Sequence, residues 1–358
     1  MFRLIVCLAA SATSLAQDKP MPQPINAAAS AAVNTSPLTH EIDLNVPVSV
    51  VWDLFSTEEG FKKFGVAKAK VDCRIGGKIL SHYDPAGELG DEGTIENTIL
   101  AFEPMRMMAF RITKAPKGFP FMNAYKSTWS VATMTDLGGG RTRLRLTGLG
   151  YTADEESQRM RAFFDQGNAY TLDRLKQNLE GSNETARVLP AAPADDPLGP
   201  ITVEATVSAM PRDVWKNWTT SDGVKSFLMT ENKIDLRLGG PFEIYFSMEA
   251  PAGSRGSEGC TILSFDPERM LSFSWNAPPK FTHARGKHTW VVVHFLPHGA
   301  HGTKVVLRHN GFAENAAANP DHEAEWKEVR AYFTNAWPRV LASLSDHYKP
   351  KTATVPPK

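Results

Sequence analysis

Shifted by 163 residues, the sequence matches itself. Val51 and Trp52 fall on Val214 and Trp215. Thr57, Gly60, Lys62 and Phe64 fall on Thr220, Gly223, Lys225 and Phe227. Lys70, Asp72, Arg74, Gly76 and Gly77 fall on Lys233, Asp235, Arg237, Gly239 and Gly240. Phe102, Pro104, Arg106, Met107 and Phe110 fall on Phe265, Pro267, Arg269, Met270 and Phe273. The offset then becomes 161, and Lys126, Thr128, Trp129, Val131, Thr142, Leu146 and Gly150 meet Lys287, Thr289, Trp290, Val292, Thr303, Leu307 and Gly311. A unit of roughly 145 residues is too long for a solenoid repeat, so the chain must fold as one domain written twice.

Each copy predicts an α+β domain. An alternating strand (Ile42, Leu44, Val46) leads into two short helical turns over 48–55 and 58–64. Pro47 and Pro211 suit helix starts, where a missing N–H costs little. A series of about six antiparallel strands follows. In the second copy Phe242, Ile244, Phe246 and Met248 alternate with polar residues, as do Leu271, Phe273 and Trp275. The glycine pairs predict a bulge or sharp bend. A long helix ends each copy. Thr152 to Glu155 reads as a capping box, and Met160, Phe163, Phe164, Thr171, Leu175 and Leu179 continue at helical spacing. In the second copy Asn319 and Pro320 open the helix, Trp326 to Leu344 supply its stripe, and Pro338 predicts a kink. The helix must bury its stripe on the sheet, leaving a wedge between them.

The flanks read differently. Arg3, the apolar run from Leu4 to Leu15 and the small residues Ser14 and Ala16 predict a signal peptide over 1–16. That places the protein outside the cytoplasm, secreted or periplasmic. A flexible leader (17–37), a proline-rich linker (181–199) and a disordered tail (349–358) separate domains at 38–180 and 200–348. No segment is apolar enough to span a bilayer. Lys plus Arg equals Asp plus Glu at 39 each, so no net basic field draws in nucleic acid. The mature chain keeps Cys73 and Cys260, expected as separate thiols, with one bridge between domains left open.

Three features together resemble the SRPBCC superfamily. They are the Trp52–Gly60–Phe64 spacing, the Asp72-x-Arg74-x-Gly76-Gly77 strand start and the Phe102-Glu103-Pro104-x-Arg106 turn. Within it the chain resembles proteins named after the activator of the heat-shock-chaperone ATPase. The resemblance covers both copies and implies tandem helix-grip domains, each with an apolar cavity between curled sheet and long helix. It is specific for fold and not for activity, since the superfamily holds lipid carriers, hormone binders, aromatase/cyclases and chaperone partners. Phe64 and Phe227 stand where a tryptophan is frequent. The signal peptide departs from the cytosolic habit of that chaperone's partners.

Strand parity selects the residues expected to face each cavity. They are Tyr83, Phe110, Trp129 and Phe164 in the first domain, and Phe246, Trp275, Trp290 and Trp337 in the second. Each could instead be simple core. His294 and His309 share inward parity if the last hairpin pairs Leu296 with Thr303. That register separates them by ~13 Å, too far to share a metal. The glycine run 138–140 lacks a following Lys-Ser/Thr, and no nucleophile elbow or His-Glu-x-x-His occurs. No metal or cofactor is expected. The expected function is a binding or carrier protein for an apolar or amphipathic small molecule. A cyclase or hydrolase using His294 or His309, and a module that clamps a protein partner, are the alternatives. If one pocket works, the second copy, richer in inward histidine and tryptophan, is expected to hold it.

Overall fold

A computed structural model describes residues 33–181 and 196–349. The signal segment, the leader up to residue 32, residues 182–195 of the linker and the tail from 350 lie outside the described residues. The chain divides into two compact units at residues 190/191.

Domain 1 runs β1 (Leu38–Leu44), α1 (Val48–Ser56), α2 (Glu58–Lys62), β2 (Lys68–Val71), β3 (Lys78–His82), β4 (Ile95–Glu103), β5 (Met107–Lys114), β6 (Trp129–Gly138), β7 (Arg141–Leu149) and α3 (Glu155–Glu180). The seven strands form one antiparallel sheet in the order β1-β7-β6-β5-β4-β3-β2. Helix α1 buries Val51, Leu54 and Phe55, while α2 docks close against it. A Cβ on Gly60 would lie 1.8 Å from the Asp53 carbonyl, so only glycine permits that approach. Gly223 in the second copy faces the same constraint, 2.0 Å from the Lys216 carbonyl, which explains why the repeat keeps it. Gly76 and Gly239 take φ of 73° and 71°, so the glycine pairs make tight turns rather than bulges.

The cap of α3 differs from its expected form. Asp154 is the N-cap, and its carboxylate accepts the Ser157 N–H at 2.9 Å. Thr152 donates its hydroxyl to that carboxylate instead of capping the helix. The buried stripe is Met160, Phe164, Asn168, Thr171, Leu172, Leu175 and Leu179.

Domain 2 runs β8 (Ile201–Val207), α4 (Pro211–Thr219), α5 (Ser221–Leu228), β9 (Glu231–Ile234), β10 (Phe242–Tyr245), β11 (Ile262–Asp266), β12 (Met270–Asn276), β13 (His288–His298), β14 (Gly302–Asn310), α6 (Phe312–Ala318) and α7 (Glu323–His347). Its main sheet has five strands in the order β11-β12-β13-β14-β8. β9 and β10 form a separate ribbon, tied to the rest by isolated bridges Pro241–Thr261 and Tyr245–Gly256. The alternation expected through Met248 therefore stops at Tyr245, and Phe246 is 56% exposed. Helix α6 was not expected from the residue pattern. Helix α7 continues unbroken through Pro338.

Candidate functional site

The wedge of domain 2 is built on the β13–β14 hairpin. Its strands pair His298 with Gly302, Pro297 with Thr303 and Val291 with His309. The register is one residue away from the expected Leu296–Thr303 pairing, because residues 299–301 form a three-residue turn with Gly299 at φ 60°. Side chains alternate faces at each residue, so this slip separates groups expected to point together. Val291, Val293, Phe295, Val305, Leu307 and His309 share the face that packs on α7, and all are essentially buried. Trp290 and His294 belong to the opposite face, and neither enters the wedge.

His309 is fully buried at 0% exposure and has both ring nitrogens engaged. The Trp337 indole N–H donates to His309 Nδ1 at 2.9 Å. The Thr289 hydroxyl donates to the Trp275 carbonyl at 2.9 Å, so its oxygen accepts from His309 Nε2–H at 2.7 Å. An indole can only donate and a hydroxyl has one proton, so this chain permits one neutral tautomer. Burial among apolar rings holds the His309 pKa well below the ordinary histidine value. Phe312 and Phe333 lie 4.5 and 4.7 Å from the imidazole, and the Trp275 and Trp337 rings are 5.2 Å apart. Between sheet and helix this wedge is packed with side chains. His309 offers no free nitrogen for proton transfer, and it props Trp337 in place.

Domain 1 solves the same space differently. The stripe Phe164, Asn168, Leu172, Leu175 of α3 corresponds by spacing to Phe333, Trp337, Leu341, Leu344 of α7. Asn168 thus stands at the position of Trp337, Gly148 at that of His309, Ile112 at that of Trp275 and Asn97 at that of Cys260. The result is a cavity of about 30 Å³, bordered by Asn97, Phe110, Ile112, Gly148, Phe164 and Asn168. That volume holds one or two waters. Thr128, Trp129 and Tyr151 border it too. A Cβ on Gly148 would sit 3.0 Å from the Tyr151 hydroxyl, so the glycine makes room for that ring. Asn97 is 1% exposed, and its Oδ1 has no protein hydrogen-bond partner.

The ten expected residues therefore divide. Phe110 and Phe164 border the domain 1 cavity, and Trp275, His309 and Trp337 converge in domain 2. Trp129 borders the cavity although the register assigns its side chain to the other face, where its ring lies against Gly150. Tyr83 lies half-buried beyond the end of β3, and Phe246 is largely in solvent, touching Trp275 edge-on. A cavity borders residues of the first domain, whereas the second was expected to hold the working pocket. Asn97, Asn168 and Tyr151 were missed. The one available signal for Asn168 was a polar residue interrupting an apolar helical stripe.

Neither Cys73 nor Cys260 is joined in a disulfide, and burial pushes the Cys260 pKa up to about 12. No group of three or more His, Cys, Asp and Glu residues among those described could hold a metal ion. No helix among the described residues is long and apolar enough to cross a membrane. A larger groove of about 280 Å³ opens on the surface of domain 2. It lies among the start of α4 and the β11–β12 and β13–β14 turns, outside the wedge.

The profile of a family described as activator of Hsp90 ATPase homolog 1-like protein matches residues 45–180 and 208–347. Among solved structures, the di-domain aromatase/cyclase BexL of the BE-7585A biosynthetic pathway is 13% identical, with a TM-score of 0.32. That match covers 88% of this chain and 99% of the other. The Aha1 dimer from Colwellia psychrerythraea is 15% identical at a TM-score of 0.33, covering 41% of this chain and 98% of its own. An Hsp90 activator from Plasmodium falciparum is 13% identical at a TM-score of 0.28, covering 38% and 94%. No curated protein matches the chain.

Proposed function

The chain belongs to the family of activator of Hsp90 ATPase homolog 1-like proteins, and on that premise we propose that it is a binding protein for an apolar or amphipathic small molecule, held between sheet and helix in domain 1. One observation carries this proposal. At positions where domain 2 packs Trp275, His309 and Trp337 into a solid wedge, domain 1 carries Ile112, Gly148 and Asn168 beside a cavity. Pockets for small molecules are mostly apolar with a few placed polar groups, and the lining here has that balance. At about 30 Å³ the space is smaller than a ligand. Occupation therefore requires the Phe164 and Tyr151 rings, or α3 itself, to move outward. Domain 2 serves as the filled, rigid sister.

The same proposal places the protein outside the cytoplasm, on the N-terminal sequence alone. Intact mass of the protein from its own cells should then begin at Gln17; a chain retaining residues 1–16 would contradict export. Native mass spectrometry of that material tests the binding itself. An adduct released on denaturation, and lost in an Asn168→Trp variant that copies domain 2, is the expected result. An adduct equally abundant in both proteins, or absent from the wild type, would contradict the assignment to this wedge.

A further inference from the structure

We propose that the domain 1 site selects a planar ring that donates a hydrogen bond, the chemistry of phenols and indoles, and that the ring replaces the His309–Trp337 pair of domain 2. This rests on the binding function proposed for the same wedge and adds the polar group that defines its ligand.

The argument compares the two copies atom by atom. In domain 2 the polar groups of Thr289, His309 and Trp337 pair with one another. Trp337 donates to His309, His309 donates to Thr289, and Thr289 donates to the Trp275 carbonyl. Domain 1 pairs the corresponding hydroxyl elsewhere, for Thr128 donates to the nearby Tyr125 carbonyl at 3.0 Å. It lacks the imidazole and the indole, with Gly148 and Asn168 in their places. The Thr128 oxygen, whose counterpart accepts from His309, thus faces a site without an imidazole. Asn97 replaces the buried Cys260 and adds an acceptor, Oδ1, that is buried without a protein partner.

A buried acceptor left unpaired is unfavourable, so a site bordered by Asn97 Oδ1 favours an O–H or N–H donor. Ser130 and Asn168 also border the site, and its other walls include the aromatic and aliphatic side chains of Phe110, Ile112, Leu146 and Phe164. Rings prefer such walls in offset or edge-on contact. A carboxylate would set negative charge against Asn97 Oδ1, and a plain hydrocarbon would leave that atom unpaired. A ring bearing a donor satisfies both the walls and that acceptor.

The experiment is calorimetric titration of the full chain with phenol, indole and toluene as probes. Phenol and indole should bind about tenfold or more tightly than toluene, the discrimination that one or two net hydrogen bonds supply. Asn97→Ala should bring the three probes to within about twofold while toluene still binds. If that variant fails to fold, the wild-type ratio of phenol to toluene decides alone. Equal binding of all three probes to the wild type would overturn the donor selection and leave the binding function standing. Binding of none would overturn both.

Discussion

His309 shows how one residue can close a site. Its two hydrogen bonds hold Trp337 over Trp275, and its burial keeps it neutral. His309→Ala would leave a cavity, an unpaired indole N–H and an unpaired hydroxyl, costing about 3 kcal/mol or more. Denaturant unfolding followed by tryptophan fluorescence reports this well, since Trp215, Trp218, Trp275, Trp290, Trp326 and Trp337 all lie in domain 2. The pH dependence has a definite sign. The folded ring resists protonation, while the unfolded chain takes up a proton below about pH 6.5. Below that pH the unfolded state binds more protons, so stability falls as pH falls, by up to about 1.4 kcal/mol per unit until the folded ring itself titrates. His309→Gln keeps a donor and an acceptor without titrating. It should flatten this slope relative to wild type between pH 6.5 and 5, and an unchanged slope would contradict the buried neutral ring. The sequence showed that His309 points inward, and that holds. It could not show which residues share its face, because a one-residue change in the turn reverses every neighbour on the opposite strand. Trp290 and His294 were misassigned for that reason alone.

At the scale of elements, the two copies differ most where sequence identity is weakest. In domain 1 β2 and β3 continue the sheet through β4, with Ile79 opposite Asn97. In domain 2 the equivalent β9 and β10 stand apart as a ribbon with two isolated bridges. On its other side β10 meets only an irregular segment, through bonds such as Phe242 N–H to the Cys260 carbonyl at 2.8 Å, and strands without a continuous ladder on both sides open at lower free energy. Amide exchange should therefore be faster in β10 than in β3 at pH 7. Equal protection would mean that the ribbon is held as firmly as the sheet. The alternation of residues 242–248 predicted one longer strand, but pattern alone cannot reveal that one of its partners is an irregular segment joined by isolated bridges. The long helices were legible from spacing, and the repeat made each call on the other for support. The α3 cap lies two residues later than expected, at Asp154, whose carboxylate accepts the Ser157 N–H while Thr152 donates to that carboxylate. Asn168 escaped notice because a polar residue in a stripe is legible only once its sister position is known to hold Trp337.

At the scale of the whole molecule, duplication has produced two domains of one fold with unlike interiors. The fold was legible because two independent copies of the pattern agreed. The site was not, because its defining feature is absence: Gly148 and Asn168 leave room that only packing reveals. The central claim is that domain 1 accepts a ligand where domain 2 is already filled. A two-dimensional amide spectrum of the full chain, titrated with indole, tests it most directly. The expected shifts cluster at Asn97, Ile112, Gly148 and Asn168 and leave Trp275, His309 and Trp337 unmoved. Shifts confined to the domain 2 residues, or none in either domain, would contradict the account.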